Sequence, residues 1–249
     1  MIELRNAQEL AKISQACKLS NAALWAVEPY IQPGVTTKEL DHVLHKFITQ
    51  AGGTPSFLNL YGFPGSACIS VNDQVIHGIP SPRIKLKEGD IVKVDVGAFY
   101  EGFHGDNAYT FPVGQISEEA RKLLKVTEES LYKGIEQARP GNRIGDISHA
   151  VQAYNEGFGY GVVREFVGHG VGKKVHEDPE IPNFGKAGRG VRLVPGMVIA
   201  IEPMINLSGA GVRTLADGWT VVTKSGSLSA HFEHTVAITE SGAKILTVR

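Results

Sequence analysis

The chain has 249 residues, enough to bury a large core, and its 42% hydrophobic and 20% charged residues fit a globular protein rather than a disordered one. With 25 basic and 26 acidic residues the net charge is -1, which creates no field to gather nucleic acid or anionic membrane. Cys17 and Cys68 stand far apart and outside any Cys-x-x-Cys spacing, which excludes a disulfide framework and a thiolate zinc site, so a metal would be held by oxygen and imidazole.

The opening stretch MIELRNAQELAKISQ carries Glu3 and Glu9 and lacks an apolar run long enough for a signal peptide or a membrane span, so a cytoplasmic location is expected. From Asn6 to about Tyr30 apolar residues recur at helical spacing, with Asn6 and Glu9 placed as a capping box. Pro33-Gly34 breaks the chain, and Thr36 with Glu39 opens a second helix that runs to Gly52-Gly53. Apolar segments around Ala67–Val71 and Ile91–Phe99 read as strands. The order then recurs: a helix from Ser117 to Ala138, a break at Pro140-Gly141, a helix from about Ile144 to Glu156, and strands near Val162–Val167, Met197–Ile205 and Phe232–Thr239.

This recurrence has a register. A shift of 107 residues carries Pro33-Gly34 to Pro140-Gly141, Gly89 to Gly196, Val92 to Ile199, Val94 to Ile201 and Asp95 to Glu202. An acid maps onto an acid inside an apolar strand. A looser echo, at other shifts, relates His77-Gly78-Ile79-Pro80 to His176-Glu177-Asp178-Pro179 and His104-Gly105-Asp106 to His231-Phe232-Glu233. Two duplicated helix-and-strand units predict one α/β domain, a curved sheet backed by helices with a cleft where the halves meet.

The acids sit where acids are costly. In KVDVGAF the valines share one strand face and leave Asp95 on the other. If the following hairpin turns at Tyr100-Glu101, Asp95 and Asp106 lie directly opposite, with Cβ atoms about 5 Å apart; a bulge at Gly102 would shift that register. Glu202 in MVIAIEPMI and Glu233 in HFEHTVAIT stand among apolar neighbours, and each acid alone reads equally as a salt-bridge partner. His169 and His176 flank the glycine-rich GVGKKV, and His77 precedes a proline turn. Four acids with one imidazole suit a pair of Mn, Co, Fe or Zn ions, and such a pair activates water for hydrolysis.

VNDQVIHGIP, KVDVGAFYEGFHGDNAYTF, EFVGHGVGKKVHEDP, AIEPMI and SLSAHFEHTVAIT resemble the five signature segments of type I methionine aminopeptidases, and the resemblance runs over essentially the whole chain. It implies the pita-bread fold, a pseudo-twofold α/β (α+β) structure around a curved, mainly antiparallel sheet, as a single catalytic domain over residues 1–249. Carried over by motif, Asp95 binds one divalent metal, His169 and Glu202 bind the other, and Asp106 and Glu233 bridge. The implied reaction removes the N-terminal methionine from nascent chains whose second residue is small. In it His176 polarises the scissile carbonyl, His77 holds or protonates the leaving nitrogen, and Glu202 moves the water proton. Phe63, Cys68 and Trp219, with Leu60, would line the methionine pocket.

Asn72 and Ser229 match positions that help hold a monovalent cation in relatives. The resemblance further implies a monomer that meets nascent N-termini and associates transiently with the ribosome, with no membrane or specific nucleic-acid partner. Tyr61, Val175 and Tyr109 depart from the commoner His, Phe and Arg of bacterial members and bear on pocket shape. Glu202 follows His176 by only 26 positions, and with no zinc-finger or basic extension ahead of Met1-Ile2 the short bacterial form is expected. A proline-specific peptidase of the same fold would carry a large N-terminal domain and another histidine context. A binding relative without metals would have lost the five ligands.

Overall fold

The computed structural model describes residues 2–248. Two helices, α1 (Ala7–Val27) and α2 (Thr37–Gln50), precede β1 (Thr54–Pro55), β2 (Cys68–Val71), β3 (Gln74–Ile76) and a long hairpin of β4 (Ile91–Tyr100) and β5 (Phe103–Pro112). The second half repeats the order with α3 (Glu118–Gln137), α4 (Ile144–Glu156), β6 (Gly161–Val162), β7 (Gly168–Gly170), β8 (Glu177–Ile181) and β9 (Val198–Ile201). Then follow β10 (Met204–Asn206), β11 (Val212–Thr214), β12 (Val221–Thr223), β13 (Ser229–His231), β14 (Glu233–Thr239) and β15 (Gly242–Ile245). Among the described residues no helix is long and apolar enough to cross a membrane.

The helix starts follow the capping signals. Asn6 and Glu9 exchange side-chain and backbone hydrogen bonds at the head of α1, and Thr36 and Glu39 do the same for α2, satisfying amides that would otherwise lack partners. Ser117 caps α3.

The duplication is visible bond by bond. The Gly34 amide donates to Leu86 O at 2.8 Å and the Gly141 amide to Leu193 O at 3.2 Å. Leu86 N returns a bond to Val35 O, and Leu193 N to Asn142 O, both at 2.8 Å. Single bridges join Thr36 to Lys85 and Arg143 to Arg192. Every pair differs by the same 107 residues (141 − 34, 193 − 86, 192 − 85). Gly34 and Gly141 have φ of 93° and 92°, a region that costs any other residue backbone strain, which explains why the Pro-Gly break survives in both halves.

A nine-stranded antiparallel sheet runs β1-β4-β5-β14-β9-β7-β8, with β2 also on β4 and β15 on β14. Each half supplies its own helical backing. Val92, Val94 and Val96 pack with Leu24, Leu40 and Leu44 of α1 and α2, and Ile199 and Ile201 pack with Leu123, Leu131 and Ile147 of α3 and α4. Two small three-stranded sheets, β13-β10-β6 and β11-β12-β3, adjoin it.

Three sequence expectations change. The β4–β5 turn is Glu101-Gly102, not Tyr100-Glu101, because Tyr100 pairs with Phe103. Both turn residues have positive φ, 50° and 87°, the geometry that suits right-twisted strands and that places Gly at the second position. Asp95 therefore opposes Ala108, Asp106 opposes Gly97, and the two acids sit diagonally on one face.

The expected strand Met197–Ile205 breaks at Glu202-Pro203, where proline has no amide to donate, and β9 and β10 belong to different sheets. Of the expected strand Val162–Val167 only Gly161–Val162 pairs; Arg164 and Glu165 then turn to solvent, and pairing resumes at Gly168.

Candidate metal centre and peptide pocket

Glu233 opposes Ala108 on β5, and Ala108 opposes Asp95 on β4. Asp106 lies two residues from Ala108 and so shares its face. From the other side Ile201 pairs with His234 and Met204 with His231, so Glu202, held in the break between β9 and β10, comes level with Glu233. His169 projects from β7, which pairs with β9. Two acids from each half and one histidine from the second thus share one floor, beneath a cavity of ≈ 830 Å³.

The donor chemistry of this floor fits a cation. Asp95 Oδ1, Asp106 Oδ1 and Glu233 Oε1 are buried without a hydrogen-bond partner, an arrangement that costs free energy unless something positive reaches them. His169 Nδ1 lies 2.9 Å from its neighbour's carbonyl, Gly170 O. The carbonyl can only accept, so Nδ1 carries the proton and Nε2 presents its lone pair. That lone pair points among carboxylates, 3.5 Å from Glu202 Oε1 and 3.8 Å from Asp106 Oδ2. Asp106, His169 and Glu233 offer one ligand atom each, all within 4.8 Å of one another.

Electrostatics agree. Burial pushes Asp106 up to about 7, with the Asn107 amide opposing. Asp95 is raised by burial and then by the Asp106 charge, Glu202 by burial and then by Asp95 and Asp106, and Glu233 by burial and then by Asp106 and Glu202. Four acids cannot all ionise on one buried floor without cations. His169 is drawn down to about 3, chiefly by burial, and is a neutral ligand at physiological pH.

The wall is apolar on one side. Phe57, Phe63, Cys68 and Val175 form a buried cluster with Leu60, Ile79 and Trp219 against it. The rings of Phe63 and Trp219 meet edge to face at 5.2 Å. Cys68 opposes Asp95 in the β2–β4 ladder and so joins the acidic floor to this pocket; burial raises its thiol, which stays neutral. The predicted Phe63, Cys68 and Trp219 are therefore brought together. Phe57 and Ile79 belong with them and carried no periodic signal in the sequence.

His77 and His176 stand over the same cavity. The His77 ring packs edgewise on Phe166 at 5.6 Å and Trp219 at 6.4 Å, and its φ of 57° is a strained conformation of the kind that gathers at active sites. Burial, with His176 nearby, draws it down to about 4. His176 meets the His169 ring at 4.5 Å and stacks on Tyr61 at 6.1 Å. Buried Arg5 pairs with Glu177, the residue after His176, and fixes the turn that carries it.

Of the three unusual residues, Tyr61 thus covers His176 and Val175 lines the pocket, while Tyr109 packs on Trp25, Phe111 and Phe232.

His231 acquired no role from the sequence beyond its echo with His104. It is buried, its Nε2 lies 3.6 Å from Glu202 Oε2, and neither ring nitrogen has a hydrogen-bond partner. Asn72 and Ser229, which match monovalent-cation positions of relatives, each accept from Lys93 Nζ at the backbone carbonyl. Burial lowers the Lys93 ammonium to about 7 against the opposing charges of Asp73 and Asp90.

Comparison with known proteins supplies a family. The model of metallopeptidase family M24 matches residues 11–240. The chain is 56% identical to the methionine aminopeptidase of Clostridium perfringens over 100% of its own length and 99% of that protein, and 52% identical to methionine aminopeptidase 1 of Bacillus subtilis over 99% of each. The crystal structure of the methionine aminopeptidase from Rickettsia prowazekii superposes with a TM-score of 0.98 at 41% identity, covering 100% of both chains.

Proposed function

The chain belongs to metallopeptidase family M24, among its methionine aminopeptidases with their pita-bread fold, and we propose that Asp95, Asp106, His169, Glu202 and Glu233 hold two divalent ions in it. Its activity is hydrolysis of the bond that follows an N-terminal methionine. Asp95 would serve one ion, His169 and Glu202 the other, with Asp106 and Glu233 between them. The buried carboxylate oxygens and the free Nε2 of His169, all on one floor, carry this reading. Bound there, divalent ions of the Mn, Co, Fe or Zn kind supply Lewis acidity and a water of lowered pKa.

The chain's own groups do the rest. The methionine side chain enters the pocket of Phe63, Cys68 and Trp219, whose closed apolar wall favours an unbranched thioether. His176, at the mouth beside His169, donates its ring N–H to the scissile carbonyl oxygen as charge develops there. His77, neutral at physiological pH, donates to the leaving nitrogen. Glu202 accepts the proton of the attacking water and passes it to the leaving nitrogen, to which His77 keeps its hydrogen bond, as the C–N bond breaks. A small second residue is preferred, and the cavity rim that would meet it is lined by His77, His176 and Tyr61. Neither half carries all five ligands, so residues 1–249 act as one catalytic domain on free N-termini of nascent chains.

Protein stripped by chelator should regain methionine release from Met-Ala-x and Met-Gly-x peptides when Mn or Co is added. Failure with every divalent metal, in protein shown to be folded, overturns the assignment. Cleavage of x-Pro peptides but not Met-Ala-x would place the specificity with proline peptidases.

A further inference from the structure

Lys93 is a charged side chain sealed into the sheet, 1% exposed. Among the described residues it makes no ion pair. Its Nζ lies 2.7 Å from Asn72 O and 3.0 Å from Ser229 O. An ammonium held by two backbone carbonyls is bound as a bare monovalent ion is bound, by oxygens that replace its water.

The two carbonyls come from separate segments. Asn72 turns the chain between β2 and β3 with φ of 51°, held by bonds from its side chain to Asp90 and from the Ile91 amide. Ser229 opens β13, and its amide donates to Asn72 O at 3.1 Å. Each segment reaches the site within a few residues: Lys93 leads to Asp95, Asn72 to His77, and Ser229 to His231 and Glu233.

We propose that the Lys93 ammonium is a tethered monovalent cation, a positioning group that locks the β2–β3 turn and β13 under the metal centre, so that the enzyme needs no free potassium or sodium. The inference rests on the proposed function for its catalytic consequence and on geometry alone for its structural one. Removing the side chain opens a cavity of matching size whose carbonyls then have no cation. Filling that cavity with an uncharged chain of similar length leaves them without a cation and with no room for an ion.

Wild type, Lys93→Ala, Lys93→Ser and Lys93→Met are compared in potassium, ammonium or tetramethylammonium chloride at constant ionic strength. Melting of the chelated proteins is followed first, since it does not depend on the reaction. Lys93→Ala and Lys93→Ser should melt lower than wild type in tetramethylammonium and recover in potassium or ammonium. With metal restored, their kcat/KM should fall about tenfold or more in tetramethylammonium, the order expected on losing two charge-assisted hydrogen bonds, and rise again with the small cations.

Lys93→Met should be impaired in every salt, and wild type should be indifferent to the choice. A specific gain by wild type in potassium, salt-insensitive Ala and Ser variants, or a Met variant that behaves as wild type would each overturn the proposal. If the small-residue variants fold in none of the salts, the wild-type and Lys93→Met comparisons still decide it. Wild type that releases no methionine with any metal would defeat the functional reading, while the melting comparison would still decide on Lys93.

Discussion

Filling the metal centre should expel protons, and binding should tighten as pH rises. His169, with its pKa drawn down to about 3, is already neutral at physiological pH and releases nothing. The protons come from the acids. Asp106, at about 7, is roughly half protonated at neutrality. Burial and mutual repulsion raise Asp95, Glu202 and Glu233 as well.

The four titrate as a set, so the countable quantity is the total number of protons released on filling the site. Protons and cations compete for the same oxygens. Each proton released per ion therefore steepens the apparent affinity by about tenfold per pH unit, in the direction of tighter binding at higher pH. Calorimetric titration of chelated protein with Mn, in buffers of different ionisation enthalpy, reads the proton count directly. Uptake without proton release, and an affinity flat across neutral pH, would refute the shared acidic floor.

Replacing His77 or His176 by Ala should lower kcat by roughly 10²-fold or more while elemental analysis still finds the metals bound; loss of metal would make them ligands. Glu101→Asn should raise the melting temperature by a few degrees, because Asn tolerates the φ of 50° at this turn position better by about 1 kcal/mol. An unchanged melting curve would show that Glu101 is not strained. Gly105→Ala should destabilise by about 3 kcal/mol or more, since the added carbon would lie 2.3 Å from the backbone nitrogen of Cys17 in α1; denaturant unfolding measures it.

Much of this architecture is legible because its signals are local and then repeated. The capping boxes at Asn6 and Thr36 mark helix starts on their own. The 107-residue shift is stronger, because two halves obliged to make the same turn keep Pro-Gly at the same place. Register is less legible: the side chains of KVDVGAFYEGFHGD fit either hairpin turn, and only the positive φ at Glu101 and Gly102 selects between them. A strand end fails where the chain steps between sheets, as at Pro203, since an apolar run looks alike on either side of the step. Lys93 and His231 are illegible for a different reason. Their partners, Asn72, Ser229 and Glu202, are distant in sequence, and nothing near either residue marks it as buried.

The duplication also explains how symmetric parts yield an asymmetric site. Asp95 and Glu202 are repeat partners, but Asp95 sits inside an unbroken strand whose neighbour at its own level is Cys68, at the edge of the apolar cluster. Glu202 sits in the break before Pro203, between His169 Nε2 at 3.5 Å and His231 Nε2 at 3.6 Å. One pole of the floor is thus walled by carbon and sulfur, and the other by imidazoles. The apolar pole holds a substrate side chain, and the imidazole pole passes protons. Hydrolysis of a terminal residue requires both side by side, and the strand order β4-β5-β14-β9 places Asp106 and Glu233 between them.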